Sequence, residues 1–260
     1  MRDKSPLIEP EYLTDAIARE TVNFIGANQD KPFFAYVPFN AVHTPIEATK
    51  KYQDRFPDET NQTRRDYYAM TSALDDAVGS IVAALDKHGL TDNTLVIFVN
   101  DNGGPIYTGV QSNGPLKLGK LFLFEGGIRV PMILHWPAGL EAKGETPGST
   151  SADPVILMDA TATLLAAAGL KSDQAMDGLD LLTDGATSAE RCLHWRIDLP
   201  SLHDNWRARA QRAVRRGKWK YLWDGGFEFL HDLDRDPGER ENLGYRHPDL
   251  IAELRELAAS

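Results

Sequence analysis

Asn93-Thr-Leu-Val-Ile-Phe-Val-Asn-Asp-Asn-Gly-Gly-Pro105 is a near-continuous apolar run that stops abruptly in two oxygen-bearing side chains and a glycine pair. Leu95 to Val99, rich in β-branched residues and bounded by turn formers, predicts a strand covered on both faces in a parallel sheet. Ligands of open α/β sheets gather where such strands end at their carboxyl side. Asp101 and Asn102, placed there, offer one charged and one neutral hard oxygen donor of the kind Ca²⁺ or Mg²⁺ prefers. Asp-Asn-Gly-Gly suits a plain turn equally well, because all these residues favour turns for backbone reasons. On its own the stretch supports both readings.

Working backwards from it, Arg64 to His88 carries Tyr67, Met70, Leu74, Val78, Ile81 and Leu85 at helical spacing, and Gly89 supplies a stop. A long core-facing helix therefore feeds the strand. Before it, Phe33 to Val37 reads as a short buried strand. Asn40-Ala-Val-His43-Thr-Pro45 follows, a loop that Pro38 and Pro45 keep irregular. Strand, helix, strand is a crossover unit, and parallel strands would end His43 and Asp101 on one sheet edge. Earlier still, Leu13, Ile17, Thr21, Phe24 and Ile25 mark an amphipathic helix that ends near Gly26 to Asn28.

Working forwards, Gln111 to Pro131 is a glycine-punctuated loop that holds Lys117, Lys120, Glu125 and Arg129. Lys117 reads as a surface residue, whereas Glu125 and Arg129 read as pins of the loop through ion-pair or backbone contacts. Val130 to Trp136 predicts a strand. Asp153-Pro154 predicts the cap and first turn of a helix through Ala168 that Gly169 stops. Asp177 to Ser188 is polar and glycine-punctuated. Beyond it Cys192 to Ile197, Arg212 to Trp223 and Phe227 to Leu233 alternate as antiparallel strands with one wet face. Pro248 opens a last helix that buries Leu250, Ile251, Leu254 and Leu257. The expected architecture is α/β, a mostly parallel sheet flanked by helices over 1–185, with a small α+β antiparallel-sheet subdomain over 186–260.

Composition narrows the classes of function. A length of 260 residues suffices to bury a core, and 42% hydrophobic with 25% charged residues is ordinary for a globular protein. The net charge of -10 leaves no basic footprint for nucleic acid. One cysteine, Cys192, excludes an internal disulfide framework, and no run reaches the apolar length of a membrane helix. No signal-peptide pattern opens the chain, which leaves its compartment and oligomeric state unspecified.

Asn-Ala-Val-His43-Thr-Pro, Val-Asn-Asp101-Asn102-Gly-Gly, and Leu-Gly-Lys120 followed by Phe-Glu125-Gly-Gly-Ile-Arg129-Val-Pro occur in that order. Together they resemble the arylsulfatase-type sulfatases of the alkaline phosphatase superfamily. Arg-Ala-Val-Arg-Arg-Gly-Lys-Trp-Lys220-Tyr and Asp232-Leu-Asp-Arg-Asp-Pro-Gly-Glu resemble that family's small C-terminal subdomain. The resemblance implies that Asp101 and Asn102 are calcium ligands. It implies that His43 contacts the sulfate and leaving-group oxygen, and that Lys120 holds the sulfate. It thus implies a divalent ion, Ca²⁺ or Mg²⁺, and a small-molecule or carbohydrate sulfate ester as substrate.

Two departures qualify the match. The family begins with two further aspartate ligands and a Cys-x-Pro-Ser-Arg type segment, whose cysteine or serine becomes the formylglycine nucleophile. These 260 residues contain no such segment. Cys192, in Arg-Cys-Leu-His-Trp-Arg, lies beyond the other motifs and does not take that role. The second departure is Leu121, where the family often has glycine. The expectation is the C-terminal portion of an aryl or carbohydrate sulfatase, inactive in isolation and prone to associate through exposed apolar surface. A phosphodiesterase or phosphonate ester hydrolase of the same superfamily, and a non-catalytic vestigial fragment, are the alternatives.

Overall fold

The computed structural model describes residues 4–6, 8–183, 191–199 and 209–259. They form two compact units, one of residues up to Thr94 with Trp136–Ala138, the other of Leu95–His135 and the residues from Gly139. The expected domain boundary at 185–186 lies outside the described residues, as does the end of the polar stretch leading to it.

The first unit is helical. Helix α1 (Leu13–Asn28) and the 26-residue α3 (Gln62–Lys87) pack together, with the single turn α2 (Lys50–Gln53) against α3. Both long helices lie where the periodicity predicts, and Thr21, Ile25, Met70 and Leu85 of the expected faces are buried, but small residues make up most of the rest. In α3 the covered residues are Asp66, Ala69, Met70, Ala73, Ala77, Ala84 and Leu85, while Tyr67, Leu74, Val78 and Ile81 stay half-exposed. In α1 they are Thr14, Ala16, Ala18, Thr21 and Ile25, while Leu13 and Phe24 are exposed. Small side chains let helix backbones approach closely, so the alanine stripe is the packing seam. Tyr52 fills the space beside Ala69 and Ala73, and its hydroxyl donates to Asp15. Residues 33–37 form no ladder, and Phe34 and Tyr36 are 70% and 80% exposed. The expected buried strand there, and with it the parallel crossover, is absent from the described residues.

In the second unit, β1 (Val96–Val99) is half-buried and pairs antiparallel with β2 (Met132–His135) through Val96 opposite His135 to Val99 opposite Met132. The short helix α4 (Glu125–Ile128) precedes β2, and α5 (Pro137–Ala142), whose first two residues belong to the first unit, follows it. Helix α6 (Leu157–Ala167) starts three residues after the expected Asp153-Pro154 cap. Asp159 inside its first turn takes the capping role, accepting from the Ile156 amide at 2.9 Å. The fully buried Asp159 carboxylate also accepts from Arg191 and the Leu179 amide, so one ion pair ties three segments together.

The C-terminal sheet runs in the order β3 (Cys192–Leu199), β4 (Arg209–Arg216), β5 (Trp219–Asp224) and β6 (Phe227–Asp232), all antiparallel. The segment expected as one strand over 212–223 is a hairpin. Its two-residue turn places Gly217 at φ 56°, and Gly225 and Gly226 turn the next one at φ 56° and 105°. Tight hairpins need such left-handed positions, which glycine fills without steric penalty. Helix α7 (Pro248–Ala259) covers one face, with Leu254 against Val214, Tyr221 and Leu230. The other face meets the loop from Leu118 to Ile128, with Leu123 and Phe124 against Ala213 and Leu222. The sheet therefore has two covered faces instead of the single wet face its alternation suggests.

Candidate functional site

Asp101 and Asn102 sit just past the end of β1, as the opening stretch predicts. The Asp101 carboxylate accepts from the Asn102 backbone amide at 2.9 Å and from its side-chain amide at 2.6 Å. These contacts orient the pair on an exposed loop. The donor chemistry suits a hard cation. The number falls short, because Ca²⁺ takes about six to eight oxygens. Among the described residues no group of three or more His, Cys, Asp or Glu side chains converges on a metal position.

Lys120 stands at the tip of a turn bracketed by two leucines in left-handed conformation, Leu118 at φ 58° and Leu121 at φ 77°. Apolar residues rarely adopt this region, at a cost of about 1–2 kcal/mol each. Such strain persists only where neighbours over-determine it. The Lys120 amide donates to the Gly104 carbonyl at 3.1 Å, and the Gly103 amide to the Gly127 carbonyl at 2.9 Å. The strand-end loop and the lysine turn are thus one hydrogen-bonded body. Approach this close requires glycine. A methyl at Gly103 would sit 1.8 Å from the Gly126 carbonyl oxygen, and one at Gly119 2.1 Å from that of Gly104.

The far side of the lysine turn is anchored to the C-terminal sheet by buried charge. Lys220 on β5 places its ammonium 2.8 Å from Glu125 and 2.9 Å from Glu239, all three fully or almost fully buried. Glu239, itself at φ 52°, also accepts from the Glu125 amide at 2.5 Å. Burial pushes the Glu239 carboxyl above the ordinary carboxylate range, against the pull of Lys220. Gln211 accepts from the Leu123 amide at 2.9 Å in the same buried layer. Glu125 is the loop pin its position suggests, with Arg129 a loose second partner at 3.9 Å.

Lys117, expected at the surface, instead donates to the Glu239 carbonyl at 3.1 Å and lies 4.2 Å from the Phe124 ring centroid. Its stem follows apolar surface while its charge meets a carbonyl and a π face. His231 packs beside this cluster, parallel to Phe229 and hydrogen-bonded through Nδ1 to the Glu241 carbonyl at 2.8 Å. Burial, reinforced by the Lys117 and Lys220 ammoniums, pushes its imidazole down to about 4. Cys192 begins β3 and packs against the Val214 and Tyr221 cluster.

His43 belongs to the first unit. It is exposed, its amide donates to Asn40 at 2.9 Å, and its Nδ1 lies 2.8 Å from the Thr44 carbonyl oxygen. That contact suits a ring protonated at Nδ1.

The chain matches the profile of the Sulfatase family over residues 1–170, and that of the N-sulphoglucosamine sulphohydrolase C-terminal family over residues 117–258. It is 37% identical to the N-acetylgalactosamine-6-sulfatase of Sus scrofa over 285 residues, covering 94% of this chain and 51% of that protein. To the N-acetylgalactosamine-6-sulfatase of Rattus norvegicus it is 34% identical over 238 residues, covering 87% and 42%. The chain therefore spans about half, or less, of the length of the curated relatives it matches. The crystal structure of Ps i-CgsB in complex with k-i-k-neocarrahexaose superposes with a TM-score of 0.87 and 31% identity, covering 98% of this chain and 56% of the other. That of the PsFucS1 sulfatase from Pseudoalteromonas sp., 23% identical with a TM-score of 0.75 over 97% and 54%, shares the fold. These likenesses establish the alkaline phosphatase-like α/β fold class that the motifs imply, and with the profile covering most of the sequence, the chain belongs to the sulfatase family.

Proposed function

We propose that this chain is part of a sulfuric ester hydrolase acting on carbohydrate sulfates, in which Asp101 and Asn102 contribute oxygen ligands to a divalent cation and Lys120 and His43 contact the sulfate. One observation carries the proposal: the hydrogen bond from the Lys120 amide to Gly104, which seats a cationic turn beside the loop bearing the oxygen donors. The relatives' names add the substrate class, since two are N-acetylgalactosamine-6-sulfatases and one solved structure holds an oligosaccharide.

Cleaving a sulfate ester needs fixed positive charge around the sulfate oxygens and a proton for the departing alkoxide. A bound Ca²⁺ would supply Lewis acidity toward those oxygens. Lys120 serves as a compact point charge on a rigid turn. As an imidazolium, His43 would give the leaving oxygen its proton from Nε2 and keep its Nδ1–H on the Thr44 carbonyl. The nucleophile that the family resemblance implies is a hydrated formylglycine. Cys192, committed to β3, is not its precursor.

Titration of the chain with calcium and then with inorganic sulfate, followed by backbone NMR, tests the assignment. Calcium shifts Asp101 and Asn102 with a dissociation constant on the order of millimolar, as befits few charged ligands. Sulfate shifts Lys120, and Lys120→Ala removes the second response without the first. No calcium response, or one that survives Asp101→Ala, would sink the metal assignment and favour a non-catalytic role. Nitrophenyl sulfate should release little or no nitrophenol with these 260 residues, which contain no formylglycine segment, and robust turnover would contradict the need for that nucleophile. A sulfate response at Lys120 matched or exceeded by inorganic phosphate would favour the phosphodiesterase alternative.

A further inference from the structure

We infer that Asn113 is a positioning residue that couples the turn presenting Lys120 to the loop presenting Asp101 and Asn102. The inference rests on the roles proposed for those three residues and assigns one to a side chain that bonds Gly104 and Leu118. Asn113 uses both ends of its amide. Its Oδ1 accepts from the Gly104 N–H at 3.1 Å, and its Nδ2 donates to the Gly104 carbonyl at 3.0 Å and the Leu118 carbonyl at 2.9 Å. It thus grips Gly104 as a neighbouring strand would and spends its remaining proton on the lysine turn.

The two targets are placed to transmit displacement. Gly104 lies two residues after Asn102, and its carbonyl also receives the Lys120 amide. Leu118 lies two residues before Lys120 in a left-handed conformation that turns its carbonyl toward Asn113. A partner for that carbonyl offsets part of the steric penalty of the conformation. Gly119 leaves the space that the amide enters, since a methyl there would sit 2.4 Å from Asn113 Nδ2.

The chemistry is specific to asparagine. Aspartate has nearly the same shape, but its carboxylate offers no proton to the Gly104 and Leu118 carbonyls. Alanine removes all three bonds without introducing repulsion. Residues that share a hydrogen-bond network show non-additive effects, whereas independent sites add.

The test is a double-mutant cycle on the whole chain, read as amide hydrogen exchange at Lys120. Asp101→Ala loosens the strand-end loop by removing the carboxylate that holds Asn102, and in the wild-type background it accelerates Lys120 exchange. In an Asn113→Asp background the same change has little further effect, a coupling of about threefold or more. Asn113→Ala repeats the cycle should the aspartate variant not fold, and exchange on β5 confirms the scaffold in each variant. Effects at Lys120 that multiply independently, or an Asp101→Ala variant with unchanged Lys120 exchange, would overturn the inference. The cycle needs no bound ion. Failure of calcium to bind therefore sinks the metal assignment while the cycle still decides the coupling.

Discussion

The helical unit and the C-terminal sheet bury their interiors by opposite means. Between α1 and α3 the seam is mostly alanine, and several larger apolar residues of the same helices, Phe24, Tyr67 and Leu74 among them, lie half in the open. Around β3 to β6 both faces are closed by large side chains, Leu254 on one and Leu123 with Phe124 on the other, and a fully buried ammonium sits among carboxylates. A seam of alanines gains little per residue, because burial stabilises by about 25 cal/mol per Å² of apolar area. The difference places the scaffold of the lysine turn in the C-terminal part. The lysine turn is built on the sheet and supported by its core, and its two left-handed leucines are held there.

The largest expected effect breaks this contrast at its buried charge. Lys220→Met leaves Glu125 and Glu239 facing each other in the interior, and uncompensated buried charge costs about 3–5 kcal/mol. Denaturant unfolding followed by the tryptophans of β5 should show that loss. A loss below about 1 kcal/mol would mean the three charges are far better hydrated than their burial implies.

Acid acts on the same region. His231 has a folded pKa of about 4 against an ordinary 6.5, so the unfolded state binds its proton first. The stability it contributes is complete above pH 6.5 and is lost progressively as pH falls toward 4. The full swing is about 3 kcal/mol. His231→Leu should flatten that part of a stability-against-pH curve; an unaltered slope assigns the acid limb to other groups.

Relieving strain is a smaller effect of opposite sign. Leu121→Gly replaces a residue at φ 77° by one that adopts it freely, and should raise the melting free energy by up to about 1 kcal/mol. A destabilised variant would show that Leu121 contributes packing that outweighs its backbone cost. Smallest of all is the helical unit's surface. Phe34→Ser with Tyr36→Ser should change unfolding by less than about 0.5 kcal/mol, yet reduce concentration-dependent association in sedimentation, because large exposed apolar groups drive self-contact. Unchanged sedimentation would remove them from any such contact.

Local chemistry made part of this legible in sequence. Asp101 and Asn102 stand at a strand's end because an apolar run and a glycine pair leave them nowhere else, and both long helices follow their periodicity. In α3 size ranks Tyr67 and Leu74 above alanine as core residues, whereas close helix packing selects the reverse, and of the large residues at that spacing Met70 and Leu85 are the ones buried. Residues 33–37 carry strand composition, but a ladder also needs a neighbour, which composition does not specify. Lys220 does not read as an anchor, because a lysine within alternating aromatic residues reads as the wet face. Its burial depends on two glutamates distant in sequence. Lys117 escaped for the same reason, since Phe124 and the Glu239 carbonyl meet it only after folding. Asn113 left a fainter signal: an Asn-Gly-Pro turn close to the lysine loop, whose amide geometry only the structure reveals.

The anchors of the lysine turn also set a schedule. Glu125 is joined to residues 95 and 114 positions later in the chain, and Lys117 to one 122 positions later. Contacts of such separation form late, after the entropy of closing long loops has been overcome. A ribosome that has released residue 130 but not residue 239 holds a nascent chain in which Lys120 has been synthesised without its support. During that interval the glycine-rich loop is an unstructured tether, open to proteases and chaperones. The anion recognition proposed for Lys120 is thus among the last properties the chain would acquire as it emerges.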